Sequence, residues 1–356
     1  MGKMRRIRRG ITALLLAGAI ICCGCGGTGP KKSTLVVLEA DSLMAPFAQI
    51  QTAFEQANPD INVELQSYGS IQAIRQVTEL GQQADLVAVA DETLVPMMMY
   101  QTKMANGQPY AGWDIESNTN QLVLAYTPTS KYADEINSSN WYQIISRPDV
   151  ALGLTDPRID AVGYRTLMTL GLAAAYYDDS TLVQDAVGNH FSMPITADTV
   201  NGITTVSVPE LLEPTDSHLV LRNADMELLA LLQSGNVDYT IDYKSVVMQD
   251  GLKYLELPPE INLGDINEAQ AYQKVTVNMN YQRFATLNPV FGGTPIIYGM
   301  TIPNNAQNSA DAVKFIQFVL GTKGQEIFKN CSQPEMVPPI CDNVSALPNA
   351  LKTLFR

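Results

Sequence analysis

Short apolar segments alternate with amphipathic segments along most of this 356-residue chain. Residues 68–91, YGSIQAIRQVTELGQQADLVAVAD, show the pattern clearly. Apolar side chains recur there at three-residue spacing, as on one face of a helix: Ile71, Ile74, Val77 and Leu80. Gly81 suits the C-terminal end of that helix, and residues 85–90 predict a short buried strand.

The same pattern extends along the chain and predicts an α/β fold. Further strands are predicted at residues 33–39, 61–67, 121–128, 217–222, 237–243 and 295–303, and further helices at residues 46–57, 163–177, 226–235 and, as a pair, 309–330. The first elements follow the order βαβαβ, which predicts a mostly parallel sheet with helices on its faces. Residues 178–217 show no clear period.

The later units and a late return segment predict two such lobes. Lobe I is expected to contain residues 33–118 plus 301–356, and lobe II residues 119–300. In sheets of this kind ligands bind outside the carboxyl ends of the strands, so a ligand cleft is expected between the lobes.

The N-terminus has the features of an export signal rather than of a fold element. A basic run, MGKMRRIRRG, precedes a short apolar run and then small residues. The apolar run, residues 11–23, is short for a membrane span, although a single membrane anchor is the alternative. We therefore predict a signal peptide at residues 1–24 and a linker at residues 25–32 of an extracytoplasmic protein. Cys25, followed by two glycines, is the predicted site of a lipid anchor.

The body that remains after removal of the signal is strongly acidic. The whole chain carries 23 basic and 36 acidic residues, and residues 1–24 contain five of the basic residues and none of the acidic ones. The body thus has 18 basic against 36 acidic residues, a formal net charge of −18. General electrostatics argue against nucleic acid or an anionic membrane as a partner. Any bound anion must rely on local hydrogen-bond donors, because the overall field repels it.

The body lacks the familiar catalytic and metal-binding motifs. It contains no CxxC, HExxH, P-loop or GxSxG pattern, and its two histidines, His190 and His218, are far apart in sequence. Cys331 and Cys341 flank SQPEMVPPI and are equally consistent with a disulfide and with free thiols outside the cytoplasm. The sequence therefore predicts a binding protein without a cofactor rather than an enzyme.

Polar residues stand at the junctions between predicted strands and helices. Ser70 begins the helix described above, where a serine usually caps the helix, but where its hydroxyl and the free backbone N–H groups can also hold an anion. Comparable junctions carry Asp41 with Ser42, Asp91, residues 160–164, residues 223–225 and Tyr243. Caps are commoner than ligands, so the pattern alone leaves both interpretations open.

Three long segments resemble a known family. They are GSIQAIRQVTELGQQADLVAVAD, NQLVLAYTPTSKYADEINSSNWYQIISRPDVALGLTDPRIDAVGYRTLM and MELLALLQSGNVDYTIDYKSVVMQDGLKYLELPPEINL. All three are similar to the archaeal tungstate/molybdate substrate-binding proteins of ABC transporters, over residues 35–351 and least clearly over 178–217. The resemblance implies a two-lobed periplasmic-binding-protein fold, each lobe a mostly parallel sheet flanked by helices, that closes on its ligand by a hinge motion. It also implies a monomer that delivers the ligand to the permease and ATPase subunits of a transporter.

The resemblance further implies an oxyanion held by serine hydroxyls, backbone amides and two carboxylates that bond to the metal. The oxyanion-binding residues carried over onto this sequence are Ser42, Gly69, Ser70, Asp91 through its backbone, and Tyr243. The metal-binding carboxylates are Asp160 and Asp225, with a turn residue and a helix cap as the structural alternatives. Arg165 is a further candidate, for an ion pair with a nearby acid.

Carboxylates beside an anion need a chemical reason, because they repel molybdate and tungstate by Coulomb's law. The metal in these anions is a hard, oxophilic centre with empty d orbitals, and it can accept additional oxygen ligands. Two carboxylate oxygens complete a six-coordinate shell. Sulfate and phosphate meet the same repulsion without forming the bond, so acidic ligands select against these abundant competitors.

The sequence departs from the family pattern at two positions. The family usually has glutamate where Asp225 stands, so this side chain is shorter by one methylene, about 1.5 Å. The family usually has glycine before the first serine, where this chain has Asp41 and thus another negative charge near the anion. These departures leave two alternatives open: a diverged binding protein for another small solute or oxyanion, and a ligand-sensing surface protein without a transport role.

Overall fold

The structure is a computed structural model that describes residues 32–279 and 290–355. The predicted signal peptide, residues 1–24, and the predicted lipidation site Cys25 lie outside the described residues. Within the described part, every helix is too short or too polar to traverse a lipid bilayer.

Strands and helices alternate along the described chain. The strands are β1 (Ser33–Ala40), β2 (Ile61–Tyr68), β3 (Leu86–Val89), β4 (Ile115–Thr119), β5 (Leu122–Tyr126), β6 (Leu152–Thr155), β7 (Thr196–Val200), β8 (Ile203–Ser207), β9 (Leu219–Arg222), β10 (Tyr239–Tyr243), β11 (Lys253–Glu256), β12 (Val275–Asn278), β13 (Val290–Gly292), β14 (Ile297–Thr301) and β15 (Glu335–Cys341). The helices are α1 (Met44–Ala57), α2 (Ser70–Thr78), α3 (Trp141–Ile145), α4 (Ala161–Tyr176), α5 (Leu182–Ala186), α6 (Asp225–Gln233), α7 (Lys244–Gln249), α8 (Ala269–Tyr272), α9 (Ser309–Val319), α10 (Thr322–Asn330) and α11 (Asn349–Lys352). A 3₁₀ turn, Asp41–Leu43, joins β1 to α1.

The strands form three sheets. The first has the order β15-β4-β14-β3-β1-β2, the second β11-β5-β10-β6-β9, and the third β13-β12-β8-β7. The first two sheets each have a parallel core, β3-β1-β2 and β10-β6-β9, with antiparallel strands added on one side. Both are therefore mixed rather than mostly parallel as expected. A buried apolar strand has the same pattern in either direction, so the sequence does not show which strands run against the core.

The chain passes between the first two sheets through short connections. β4 ends at Thr119 in the first sheet and β5 begins at Leu122 in the second, so only Asn120 and Gln121 join them. The chain later returns to the first sheet in β14. The boundary expected between residues 300 and 301 falls inside this strand. The assignment of the two sheets to two lobes with the predicted bounds otherwise stays a prediction.

Aromatic side chains pack α1 against the helices near the C-terminus. The ring centroid of Phe315 in α9 lies 5.9 Å from that of Phe47 and 5.1 Å from that of Phe54, both edge-on. The helix α2 packs against β1 and β3 as its period predicted. Leu80, expected on its apolar face, is 69% exposed because the helix ends at Thr78.

The helix α4 is apolar on nearly all sides because it packs between two layers. It contacts β6 and β10 of the second sheet and β8 and β12 of the third. A Cβ atom at Gly171 would lie 2.8 Å from the Val275 side chain, so only glycine permits this approach to the third sheet. The third sheet was not predicted, since β7 and β8 fall within residues 178–217.

Both cysteines of the body are free thiols. Cys331 is buried, and its sulfur accepts a hydrogen bond of 3.2 Å from Gln49 Nε2. Of the two alternatives that the sequence left open for Cys331 and Cys341, a disulfide and free thiols, the structure has the free thiols.

Candidate functional site

Three carboxylates converge at the carboxyl ends of strands from the first two sheets. Asp41 follows β1, Asp160 follows β6 across a short turn, and Asp225 follows β9. One oxygen from each lies within 4.8 Å of the other two. This is the position where open α/β sheets bind ligands. It contains Asp160 and Asp225, the two acids that the resemblance implied, and also Asp41, which stands where the family usually has glycine.

The helices α4 and α6 hold two of these acids. Asp160 is the N-cap of α4 and accepts a hydrogen bond of 3.4 Å from the Val162 N–H. Asp225 is instead the first residue of α6, and its Oδ1 accepts from the Met226 N–H at 2.6 Å. The side chains of Asp160 and Asp225 are 4% and 1% exposed. Asp160 thus caps its helix while still facing the other acids, whereas the expected alternative of an N-cap at Asp225 is wrong.

Burial and nearby like charges raise the pKa values of all three carboxyls. Burial, then the Asp41 carboxylate, raises the pKa of Asp160 to about 7. Burial, then Glu227, raises the pKa of Asp41 to about 6. Burial, then Asp242 and Asp160, raises the pKa of Asp225 well above its usual range. Between described residues, none of the recorded ion pairs involves these three acids.

The turn before α2 lies directly against Asp160. A Cβ atom at Gly69 would lie 2.8 Å from the Ile159 carbonyl oxygen and 2.9 Å from the Asp160 Cβ, so glycine allows the close approach. The nearby backbone N–H of Ser70 opposes the rise in the pKa of Asp160. Free N–H groups at a helix N-terminus attract negative charge, and here they face the acid cluster.

The Ser70 side chain has a different partner from the one expected. Gly69 is the N-cap of α2, and the buried Ser70 hydroxyl accepts a hydrogen bond of 3.0 Å from the Ala90 N–H at the end of β3. The N-cap prediction for Ser70 is therefore wrong. The hydroxyl links the start of α2 to the end of β3 because Ser70 is already inside the helix.

A buried hydrogen-bond chain surrounds Ser42. Tyr298 donates its hydroxyl proton to Ser42 Oγ at 2.9 Å and accepts from Asn120 Nδ2 at 3.1 Å. Asn120 Nδ2 also donates to Ser245 Oγ at 2.8 Å. Asn120, Ser245 and Tyr298 were not singled out from the sequence, because no local pattern distinguishes them from other strand and turn residues.

Asp91 and Tyr243 contact Arg165 rather than the three clustered acids. Asp91 Oδ2 accepts a hydrogen bond of 2.5 Å from the Tyr164 hydroxyl and lies 3.3 Å from Arg165 Nη2. Arg165 Nη1 donates to the Ala90 carbonyl at 2.5 Å and to the Tyr243 hydroxyl at 3.1 Å. The acid expected to pair with Arg165 is therefore Asp91. This buried group joins α4 to the end of β3.

A cleft of ≈ 840 Å³ lies outside this cluster, between residues of α7, β11 and α10. Its lining includes Met248, Tyr254 and Lys329 but none of the three acids. The acids that the resemblance implied therefore lie outside this cleft.

Residues 35–330 match the model of the bacterial extracellular solute-binding protein family. The chain belongs to this family. A solute-binding protein of this kind acts outside the cytoplasm and is not an enzyme, which agrees with the absence of catalytic motifs from the sequence.

Two relatives resemble this solute-binding protein over nearly their full lengths. The molybdate/tungstate-binding protein WtpA of Pyrococcus abyssi is 36% identical over 94% of this chain and 95% of its own. An uncharacterized solute-binding protein of Methanoculleus marisnigri is 34% identical over 96% of each chain. The sequence resemblance to the tungstate/molybdate-binding proteins is thereby confirmed.

The fold agrees with a solved structure. The periplasmic molybdate-binding protein of Azotobacter vinelandii superimposes with a TM-score of 0.54 and 16% identity, over 84% of this chain and 98% of that one. This solute-binding protein thus has the two-lobed α/β fold of the periplasmic binding proteins, as predicted.

Proposed function

We propose that this solute-binding protein captures molybdate or tungstate outside the cytoplasm and delivers it to an ABC permease. The observation that carries the proposal is the convergence of Asp160 and Asp225 oxygens beside the N-terminus of α2. Buried acids that take part in none of the ion pairs recorded between described residues suit an electron-poor metal centre that accepts oxygen ligands. The 36% identity to a molybdate/tungstate-binding protein supports the same ligand class.

Two kinds of group share the task of holding the ligand. Asp160 and Asp225 bond to the metal, and the Ser42 hydroxyl and the Ser70 N–H donate to its oxo groups. Asp225 is shorter than the glutamate of the family, but it begins α6 and its oxygen still lies within 4.8 Å of that of Asp160. The helix position thus compensates for the missing methylene.

Closure of the two lobes completes the mechanism. Gly69 and Ser70 belong to the first lobe, whereas Asp160 and Asp225 belong to the second, so the ligand bonds to both. The Arg165–Asp91 contact holds the same two parts together. Cleavage near residue 24, a lipid on Cys25, a monomeric state and docking on a permease with its ATPase belong to this proposal.

Calorimetry with molybdate, tungstate, sulfate and phosphate tests the ligand. We expect one site per chain for the two metal oxyanions and no measurable heat from the other two. Asp160→Asn should weaken molybdate binding at least about 10-fold, since even groups that only support a metal ligand contribute that much. Glu64→Gln, an exposed acid on β2, is the matched control and should bind as the wild type does. Equal affinities for sulfate and tungstate would contradict the proposal.

A further inference from the structure

Asp41 is the third acid of the site, and the proposed function assigns no role to it. Its carboxylate begins the 3₁₀ turn after β1, and one of its oxygens lies within 4.8 Å of oxygens from both Asp160 and Asp225. Adjacent oxygens on a six-coordinate hard metal with bonds of about 2.0–2.1 Å lie about 3 Å apart. Three oxygens already this close need only small movements to occupy one face of a single coordination shell.

A fourth buried acid, Asp242, interacts electrostatically with Asp225, Asp160 and Asp41. Asp242 is 1% exposed, its Oδ1 accepts from the Tyr243 N–H at 2.6 Å, and its Oδ2 is buried without a hydrogen-bond partner among the described residues. Of the charged groups that act on Asp225, it has the largest effect. No recorded ion pair between described residues involves Asp242 either. Burial, opposed by the Tyr243 N–H, raises the pKa of Asp242 well above its usual range, so this group ionises only with a positive centre beside it.

This charge distribution bears on the form in which the ligand is held. An intact tetraoxo dianion presents four negative oxygens to these acids, and each additional carboxylate increases the repulsion. A metal centre that loses one oxo group and gains a carboxylate presents its electron-poor face to the acids instead. The hard, oxophilic metals of molybdate and tungstate can exchange oxygen ligands in this way.

We propose that Asp41 is a third metal-binding carboxylate and that the protein holds molybdate or tungstate as a trioxo metal centre, with three carboxylate oxygens on one face and three oxo groups on the other. The inference rests on the proposed function and specifies the bound form of its ligand. For molybdate, MoO4²⁻ takes up two protons from solution, one metal–oxygen bond breaks, and that oxygen leaves as water. Three carboxylate oxygens then bond to the resulting MoO3 unit, which keeps three negative charges with its ligands. The oxidation state of the metal does not change.

Neutralisation of Asp41 changes the affinity for molybdate in opposite directions, depending on whether Asp41 bonds to the metal or only repels the anion. If Asp41 only repels the anion, its neutralisation must tighten binding, because one like charge is removed. If Asp41 is a ligand, its neutralisation removes a bond and weakens binding. Glu227 provides the matched control, because its charge acts on Asp41 while its side chain is 54% exposed and outside the cluster.

Calorimetry with sodium molybdate on the wild type, D41N and E227Q makes this comparison. We expect D41N to weaken binding at least about 10-fold, the loss typical even of residues that only support a metal ligand. We expect E227Q to bind as tightly as the wild type or slightly more tightly. Unchanged or tighter binding by D41N would overturn the inference. Circular dichroism of each variant shows that it is folded.

X-ray absorption at the molybdenum edge gives a second readout that needs no variant. We expect three short metal–oxo distances in the wild-type complex and four in D41N. Four short distances in the wild type would overturn the inference and leave the proposed function intact. A wild type that binds neither oxyanion but binds manganese(II) or calcium alone would overturn both.

Discussion

Asp114 is a buried carboxyl outside the proposed site, and its pKa lies well above the ordinary value of 3.8. Burial is the largest cause, and the carboxylates of Glu92, Asp342 and Glu116 add to it. Its Oδ1 is buried without a hydrogen-bond partner among the described residues. The folded chain therefore holds this proton more tightly than the unfolded chain does.

The stability of the ligand-free protein should depend on pH through this residue. Above pH 3.8 the unfolded chain loses the proton of Asp114 while the folded chain keeps it. The free energy of unfolding is thus highest below that pH and falls as the pH rises toward the folded-state pKa, by up to about 1.4 kcal/mol for each pH unit. Asp114→Asn should reduce this fall. Urea denaturation at several values between about pH 4 and pH 8 measures it.

The exposed acid Asp134 gives the control for that series. Asp134→Asn should leave the dependence of stability on pH as it is in the wild type. An equal slope in Asp114→Asn and the wild type would show that Asp114 ionises in the folded protein at its ordinary pKa.

For a single residue, the sequence indicates whether it is a candidate for the site better than it indicates which residues it contacts. Ser42 and Ser70 are recognisable because each follows a predicted strand, and strand ends bind ligands. That the Ser70 hydroxyl accepts from Ala90, or that Tyr298 donates to Ser42, depends on the order of the strands in the sheet. No property of the local sequence contains that information.

At the scale of elements, α4 joins the ligand site to the contact between the sheets. Asp160 caps its N-terminus, and one turn later Tyr164 and Arg165 contact Asp91 at the end of β3. The Arg165 guanidinium is 1% exposed, so this ion pair is not screened by solvent. Any movement of α4 away from β3 breaks the pair and displaces Asp160.

Removal of this guanidinium should destabilise the protein strongly. Arg165→Gln leaves the Asp91 carboxylate buried without a charge partner, and the loss of one member of a buried pair costs about 3–5 kcal/mol. Arg222→Gln is the control, because Arg222 is 42% exposed and 4.0 Å from Glu227. Its loss should cost less than about 1 kcal/mol. Urea denaturation of both variants measures the difference, and equal small losses would show that the buried pair contributes no more than a surface pair.

Helices and strands with a clear pattern of apolar residues were predicted from the sequence, and those without one were missed. Buried strands such as β3 and the apolar helix α4 stand out in sequence, and both were found. By contrast, β7 is exposed along most of its length, so its residues lack the alternation that marks a half-buried strand. For the same reason the third sheet was missed.

At the scale of the whole molecule, strand order brings together acids that are far apart in sequence. Asp41, Asp160 and Asp225 come from the ends of three strands in two sheets. The α/β fold class followed from the alternation of elements, and the strand ends indicated which polar residues to examine as a candidate site. The sequence placed the charge of Asp41 near the expected anion, but the distance between its oxygen and those of Asp160 and Asp225 depends on how closely the two sheets approach.

Gly69 determines how close that approach can be. Its backbone angles, φ −57° and ψ 143°, suit any residue, so an alanine there causes no backbone strain. The added methyl would nevertheless lie 2.8 Å from the Ile159 carbonyl oxygen and 2.9 Å from the Asp160 Cβ. Neither group is the end of a flexible side chain. The turn and the start of α4 must therefore separate.

We expect Gly69→Ala to weaken molybdate binding by about 10- to 100-fold, because overpacking of a tight contact costs about 1–3 kcal/mol. Gly112→Ala is the matched control, since no atom lies within 4 Å of a Cβ at that position. Calorimetry compares the affinities, and small-angle scattering of the molybdate complexes compares their compactness. If Gly69→Ala binds as tightly as Gly112→Ala, the ligand does not require the contact between Gly69 and Asp160. Metal bonding by Asp160 would then have to occur with the sheets farther apart, where the Ser70 N–H no longer reaches the same ligand.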